Sequence, residues 1–106
     1  MAEDPPPLRF GGYLLDRAAR RLLGADGAEV VLTAMEFDLL RALAERPNRV
    51  LRRDQLLGLA HGRGADPGDR SIDIRITRLR RKLGDDPANP RLIRTIRGVG
   101  YMFSPD

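Results

Sequence analysis

The sequence has 106 residues, of which 42% are hydrophobic, and this suits one domain with one modest core. It contains no cysteine and no apolar stretch near the ~20 residues needed to cross a bilayer, which excludes disulfides and thiolate metal sites and predicts a soluble cytoplasmic protein. The formal net charge is +4, and residues 70–97 carry eight arginines and one lysine against three aspartates. This local excess of positive charge is typical of a surface that binds a polyanion, but a solvated basic helix would show it too.

The first third of the chain predicts a linker followed by a small sheet. Residues 1–7 end in an aspartate and three prolines, which cannot pair in a sheet or continue a helix, so we expect an interdomain linker with a further domain before it and one domain over residues 8–106. Short apolar segments predict an antiparallel meander of about four strands, over residues 8–10, 13–16, 20–23 and 28–32. Asp26-Gly27 predicts a tight hairpin turn in which both central residues have positive φ.

Two helices are predicted next. Thr33 and Glu36 form a capping-box pattern, which marks a helix start. Apolar residues at helical spacing are expected to face the core, and a polar set to face solvent, until Pro47 ends the helix: Phe37, Leu40, Leu43 and Ala44, against Glu36, Arg41 and Glu45. A second helix is predicted over residues 53–60 with Leu56, Leu57 and Leu59 as its apolar set, and a glycine-rich loop follows over residues 61–68.

The third predicted helix, over residues 69–83, is apolar on one side and cationic on the other. Asp69 or a neighbour caps it, and Gly84 suits a left-handed C-cap. An apolar stripe is expected to face the core, formed by Ile72, Ile76, Leu79 and Leu83. The opposite face presents Arg70, Ile74, Thr77, Arg78 and Arg81, with Ser71 and Arg75 on one flank and Asp73 and Arg80 on the other.

The last segment predicts a β-hairpin. Residues 92–96 and 101–103 are predicted as strands joined around Gly98-Val99-Gly100. Thr95 and Arg97 lie two residues apart and therefore share a face. The chain thus ends with a basic amphipathic helix followed by a hairpin that carries arginine beside its turn.

The motifs of common catalytic and metal sites are missing from the sequence. The one histidine, His61, lies in the glycine-rich loop without a nucleophile motif near it. The glycines of residues 62–68 and 98–100 do not match a phosphate-binding loop, and Asp85-Asp86 lacks further acidic ligands at metal-loop spacing. We therefore expect no enzymatic activity, no cofactor and no metal.

The order of elements is that of a winged helix-turn-helix, in which the last helix enters the major groove of DNA and the hairpin reaches an adjacent minor groove. The exposed residues of the third helix suit this role, because arginine can fork onto guanine, Ile74 can meet a thymine methyl, and Thr77 can touch a base or a phosphate. Arg70, Arg75 and Arg81 are expected to meet phosphates. Arg97, beside Gly98, can enter a narrow minor groove.

The sequence resembles the OmpR/PhoB family of response-regulator output domains from about Leu8 to Pro105. The matching stretches are Leu32-Thr33, Glu36-Phe37 and Leu39-Leu40, Arg52 to Leu57, Asp69 to Asp73, Arg78 to Leu83, and Ile93 to Phe103. The resemblance implies an α+β fold with a four-stranded antiparallel N-terminal sheet, three helices and a C-terminal β-hairpin wing. It also implies an upstream receiver domain that a sensor kinase phosphorylates on aspartate.

The resemblance also assigns roles to residues. By position, base contacts fall on Ile74, Thr77 and Arg78, phosphate contacts on Arg70, Ser71, Arg75, Arg80 and Arg81, and wing contacts on Thr95 and Arg97. The family implies tandem dimers on double-stranded DNA with direct-repeat half-sites. It further implies that the loop between the second and third helices, with His61, Arg63 and Asp66, contacts RNA polymerase. The operator sequence, and activation against repression, stay open.

Two other functions compete with reading of double-stranded DNA. A winged helix used as a protein-interaction module needs an exposed apolar patch and has no use for a basic helix face. A reader of single-stranded RNA generally stacks bases on exposed aromatic side chains, and the third helix has none. The arginine face therefore favours sequence-specific binding of double-stranded DNA.

Overall fold

The computed structural model describes residues 5–61 and 71–105, apart from the side chains of His61 and Ser71. The described residues form an α+β winged helix-turn-helix, as predicted, in which two antiparallel sheets and three helices share one core. In chain order the elements are β1 (Leu8–Phe10), β2 (Tyr13–Asp16), β3 (Arg21–Leu23), β4 (Glu29–Val30), α1 (Ala34–Ala44), β5 (Val50–Arg52), α2 (Arg53–His61), α3 (Ser71–Lys82), β6 (Ile93–Ile96) and β7 (Gly100–Phe103).

The N-terminal sheet has the predicted meander order β1-β2-β3-β4. Leu15 and Leu22 are paired across β2 and β3, and both are fully buried, so one face of the sheet packs on the core. Phe10 meets Phe103 of β7 edge to face with ring centroids 5.0 Å apart, which ties the first strand to the last. Residues 5–7, in the predicted linker, lie outside the helices and strands and are exposed.

The turn between β3 and β4 lies at Asp26-Gly27 but has a different geometry from the one predicted. Gly24 donates its backbone N–H to the Ala28 carbonyl at 2.8 Å and so closes a three-residue loop. Gly27 has φ +81°, whereas Asp26 is outside the positive-φ region and instead accepts the Ala28 N–H on its carboxylate. One left-handed glycine is sufficient in a loop of this length, so the expectation of two positive-φ residues is wrong.

Helix α1 begins with the predicted capping box. The Thr33 hydroxyl accepts the Glu36 N–H at 3.1 Å, and the Glu36 carboxylate accepts the Thr33 N–H at 2.8 Å. The expectation that Glu36 faces solvent is wrong, because Glu36 is only 4% exposed and accepts a hydrogen bond from Lys82 Nζ at 2.6 Å. Burial alone would raise the pKa of Glu36, but the bonds from Lys82 and Thr33 outweigh it and lower this pKa.

The segment after α1 contains a strand that the sequence did not predict. Strand β5 pairs with β7 in a sheet of order β5-β7-β6, so the hairpin is anchored to the body of the fold by a third strand. In α2, Leu56 and Leu57 are buried as expected, but Leu59 is 38% exposed. The third buried position of this helix is Ala60, one turn after Leu56, so the apolar face is narrower than expected.

The core face and the C-terminus of α3 agree with the sequence. The predicted stripe is fully or almost fully buried: Ile72, Ile76, Leu79 and Leu83. Gly84 has φ +68°, and Asp85 donates its N–H to the Arg80 carbonyl at 2.8 Å, as in a Schellman cap. The Asp85 carboxylate accepts the backbone N–H groups of residues 91, 92 and 93 and so fixes the path from α3 into the hairpin. Within residues 5–61 and 71–105, no helix is long and apolar enough to cross a membrane.

Candidate nucleic-acid interface

The outer face of α3 gathers the residues predicted to read bases. Ile74, Thr77, Arg78 and Arg81 border one shallow surface depression together with Asp73. Ile74 is 55% exposed, although isoleucine is among the residues most often buried in proteins. The side chains of Arg78 and Arg81 are exposed and make no ion pair or hydrogen bond with the described residues. The helix therefore presents an apolar side chain on the same face as two guanidinium groups that are available to an outside partner.

Thr77 is half-buried, and its hydroxyl has an internal partner. Thr77 Oγ1 donates to the Asp73 carbonyl, one turn earlier, at 3.0 Å. A hydroxyl has one proton to donate and two lone pairs that can accept. Thr77 can thus still accept a hydrogen bond or present its methyl group, but it cannot donate without breaking the bond to Asp73.

Arg80 does not lie on the open flank where the sequence placed it. Its side chain is 5% exposed, Nε donates to the Ile93 carbonyl at 2.9 Å, and Nη2 donates to Thr95 Oγ1 at 2.7 Å. Burial lowers the pKa of this guanidinium. Two of the three guanidinium nitrogens, Nε and Nη2, therefore donate inside the protein, and the burial of Arg80 argues against its predicted phosphate contact.

The β6–β7 hairpin, which we call the wing, presents the predicted Thr95 and Arg97 to solvent. The turn is closed by a hydrogen bond from the Val99 N–H to the Ile96 carbonyl at 2.9 Å, with Gly98 at φ +76°. Sequence reasoning overlooked Arg94, which is also exposed on β6, and Val99, which is 44% exposed at the tip. The wing therefore presents two exposed cations and an apolar tip.

A polar cluster, also missed, joins α2, α3 and the wing. The Tyr101 hydroxyl donates a short hydrogen bond to the Asp73 carboxylate, and Arg53 Nε donates to the same oxygen at 2.9 Å. Burial and the bond to Asp73 raise the pKa of Tyr101 to about 12. Hydrogen bonding to Asp73 raises the pKa of Arg53. The members lie on three separate elements, and no local sequence pattern connects them.

Several predicted site residues lie outside the described part of the structure. These are Arg70, Arg63 and Asp66, together with the side chains of Ser71 and His61. Arg75 is half-buried on the flank of α3 opposite Arg80. Among the residues that are described, no group of acidic and histidine side chains could hold a metal ion.

The helix order, the cationic outer face of α3 and the wing define a winged helix-turn-helix of the nucleic-acid-binding type. The family model described as "Transcriptional regulatory protein, C terminal" matches residues 27–103. The chain belongs to this family, which consists of DNA-binding domains of transcriptional regulators and not of enzymes.

Relatives and solved structures agree with this assignment. Regulatory protein VirG of Agrobacterium fabrum is 48% identical over 98% of this chain and 41% of its own length. Transcriptional regulatory protein AruR of Pseudomonas aeruginosa is 50% identical over 91% of this chain and 39% of its own length. The chain therefore spans about two fifths of these relatives. The RstA DNA-binding domain of Klebsiella pneumoniae, in complex with the RstA box, has a TM-score of 0.84 and 37% identity over 94% of this chain and 98% of that one. DrrB of Thermotoga maritima, an OmpR/PhoB homologue, has a TM-score of 0.79 and 36% identity over 92% of this chain and 44% of that one.

Proposed function

We propose that this chain binds double-stranded DNA at specific sequences, with α3 in the major groove and the wing in an adjacent minor groove. The observation that carries this proposal is the exposed Ile74, which shares one face of α3 with the exposed Arg78 and Arg81, whose side chains have no partner among the described residues. An exposed apolar residue among cations fits a duplex, in which thymine methyl groups lie beside acceptor-rich base edges and a wall of phosphates. The likeness to the RstA DNA-binding domain, which is known in complex with the RstA box, supports DNA binding by this fold.

Three residues are proposed to read bases. Arg78 forks onto guanine O6 and N7, because its guanidinium is exposed and has no partner among the described residues. Ile74 contacts a thymine methyl. Thr77 serves as an acceptor or as a methyl contact, because its proton is donated to Asp73. These roles predict a recognition sequence that includes guanine and thymine on the face read by α3.

Arg81 and Arg75 are proposed to contact phosphates on either side of the base-reading residues. Arg70 and Ser71 join them by sequence position at the start of α3. Arg80 is left out, because its guanidinium is bonded within the protein. Phosphate contacts release counterions, so affinity should fall steeply as the salt concentration rises.

Arg97 and Thr95 are proposed to contact the minor groove. Arg97 precedes the glycine at the wing turn and is exposed. A guanidinium at the tip of a narrow hairpin suits the enhanced negative potential of a narrow minor groove. Arg94, which lies on β6 next to Thr95, can add a phosphate contact.

The proposal extends to a longer protein, because the chain spans about two fifths of the length of its curated relatives. We propose that residues 1–7 link the domain to an upstream receiver and that tandem dimers occupy direct-repeat half-sites. We also propose that the segment between α2 and α3, with Arg63 and Asp66, meets RNA polymerase together with His61 at the end of α2. The protein would then act in the cytoplasm, where bacterial operators lie. These parts rest on the family resemblance.

The experiment that tests the proposal selects bound duplexes from a random DNA pool with the purified domain and then titrates the enriched duplex at several salt concentrations. We expect an enriched motif repeated at about one helical turn, with affinity that falls steeply with salt. Arg21→Ala serves as a control, because Arg21 is an exposed arginine on β3 and its loss removes the same charge away from α3. Failure to enrich any motif would contradict specific DNA binding and would favour a protein partner.

A further inference from the structure

Three hydrogen bonds connect α3 to the two strands of the wing. Arg80 donates to the Ile93 carbonyl at 2.9 Å and to Thr95 Oγ1 at 2.7 Å, both on β6. Tyr101, on β7, donates its hydroxyl to the Asp73 carboxylate. Arg80 and Asp73 lie seven residues apart, which is about two turns of α3. We call Arg80, Asp73 and Tyr101 the wing clamp.

The clamp holds the wing at two separated points. A hairpin attached to a helix through one contact can pivot about it, whereas contacts two turns apart, one to each strand, oppose both pivoting and sliding. The planar guanidinium of Arg80 is well suited to oppose these motions of the wing, because it presents its donors in a fixed geometry. It also lies 5.5 Å from the centre of the Tyr101 ring. Arg80 also bonds directly to Thr95, an exposed residue of the wing.

Apolar packing alone does not specify this orientation. Ile93, Tyr101 and Phe103 are 0%, 4% and 2% exposed, so the base of the wing is buried in the core without help from the hydroxyl of Tyr101. The hydrophobic effect that buries them is non-directional, whereas a hydrogen bond requires a set distance and angle. The clamp therefore adds directional constraint to a hairpin that already packs.

We infer that Arg80, Asp73 and Tyr101 are positioning residues that fix the wing relative to α3, and so set the offset between the major-groove and minor-groove contacts on DNA. This inference rests on the proposed function, because it assigns the clamp a role only if α3 and the wing bind one duplex together. The clamp acts through Thr95 and Arg97, the wing residues proposed to reach the minor groove.

The test uses Tyr101→Phe, which removes one hydroxyl and keeps the buried ring, and Arg80→Lys, which keeps the charge but loses the planar fork. Both are measured on the duplex enriched by selection, alone and combined with Arg97→Ala. Dimethyl sulfate protection at guanine N7 reports the major groove, and hydroxyl-radical protection reports the minor groove. Tyr13→Phe is the matched control, because it removes the other tyrosine hydroxyl from the N-terminal sheet. Thermal unfolding checks that each variant is folded.

We expect each clamp variant to weaken binding roughly three- to tenfold, the range for loss of one hydrogen bond, and to lose minor-groove protection while guanine protection remains. In the Arg97→Ala background the same changes should lower the binding affinity by less than about twofold, and Tyr13→Phe should leave the affinity unchanged. Unchanged binding, or losses that add fully to that of Arg97→Ala, would overturn the clamp and leave DNA binding in place. No binding by the unmodified domain, or no effect of Arg97→Ala, would overturn the proposed function and the clamp with it.

Discussion

Replacement of Arg78 by alanine should separate base reading from general attraction to DNA. The Arg78 side chain is exposed and makes no hydrogen bond or ion pair with the described residues, so its removal breaks no polar contact of the folded domain. The whole effect should therefore appear in binding. One bidentate arginine–guanine pair contributes about 1–3 kcal/mol of discrimination, which is a loss of roughly five- to 150-fold on the selected duplex. On random-sequence DNA the loss should be much smaller, and preference at one base should relax.

Arg81→Ala is the matched comparison, because Arg81 has the same charge, lies on the same face one turn later and is proposed to meet a phosphate. It should weaken specific and random duplexes alike and should reduce the slope of log affinity against log salt by about one. Both variants are titrated by fluorescence anisotropy on the selected duplex and on a scrambled duplex of equal length, at three salt concentrations. Equal losses for Arg78→Ala on the two duplexes would refute its base-reading role.

Three further predictions concern stability. The folded-state pKa of Tyr101, about 12, lies above its ordinary value of 10.0, so the stability gained from its protonated hydroxyl is fully present below pH 10 and lost by pH 12. Urea unfolding between pH 9 and 12 should show this loss of stability. The same loss in Tyr101→Phe would contradict its assignment to the hydroxyl of Tyr101. Glu36→Gln should cost about 1–3 kcal/mol at pH 7, because it removes the acceptor charge that Lys82 meets. Because the pKa of Glu36 is lowered in the fold, the stability gained from its ionised carboxylate is present above the ordinary pKa of 4.5 and is lost as pH falls. An equal cost of Glu36→Gln at pH 3 and at pH 7 would argue against this role of the carboxylate. Gly100→Ala should cost about 3 kcal/mol in thermal unfolding, because its Cβ would collide with the Leu51 carbonyl of β5, and an unchanged melting temperature would contradict this.

The local signals in the sequence were sufficient to predict the start of α1 and the buried face and C-cap of α3. The capping box of Thr33 and Glu36 and the left-handed Gly84 each depend on residues close in the chain, so their geometry follows from the residue types. The expectation that Glu36 faces solvent failed because its partner, Lys82, is 46 residues away. Strand β5 was missed for the same reason, since three residues carry no clear alternation and its partner β7 lies about 50 residues further along the chain.

The burial of Arg80 shows a limit of helical periodicity. At 100° per residue, Arg75 and Arg80 lie at roughly equal angles, about 70°, on opposite flanks of the buried stripe of α3. Periodicity therefore treats them alike. In the fold Arg75 is half-buried, whereas Arg80 is 5% exposed because the wing covers its flank. The position of a hairpin over a helix depends on long-range packing, so the sequence pattern alone could not distinguish the two arginines.

The positive surface depends on which arginines lack carboxylate partners and not on their number. In the N-terminal part of the fold several acidic residues form ion pairs, such as Glu45 with Arg17 at 3.0 Å and Asp38 with Arg20 at 3.0 Å. Such pairs cancel much of the local charge. On the outer face of α3 and on the wing, no carboxylate among the described residues pairs with any of the exposed arginines Arg78, Arg81, Arg94 and Arg97. Because unpaired charges dominate the field outside a protein, the positive potential should be concentrated where the fold brings α3 and the wing together. The same charges should therefore account for most of the salt dependence of DNA binding, and neutralising a paired arginine such as Arg20 should change that dependence little.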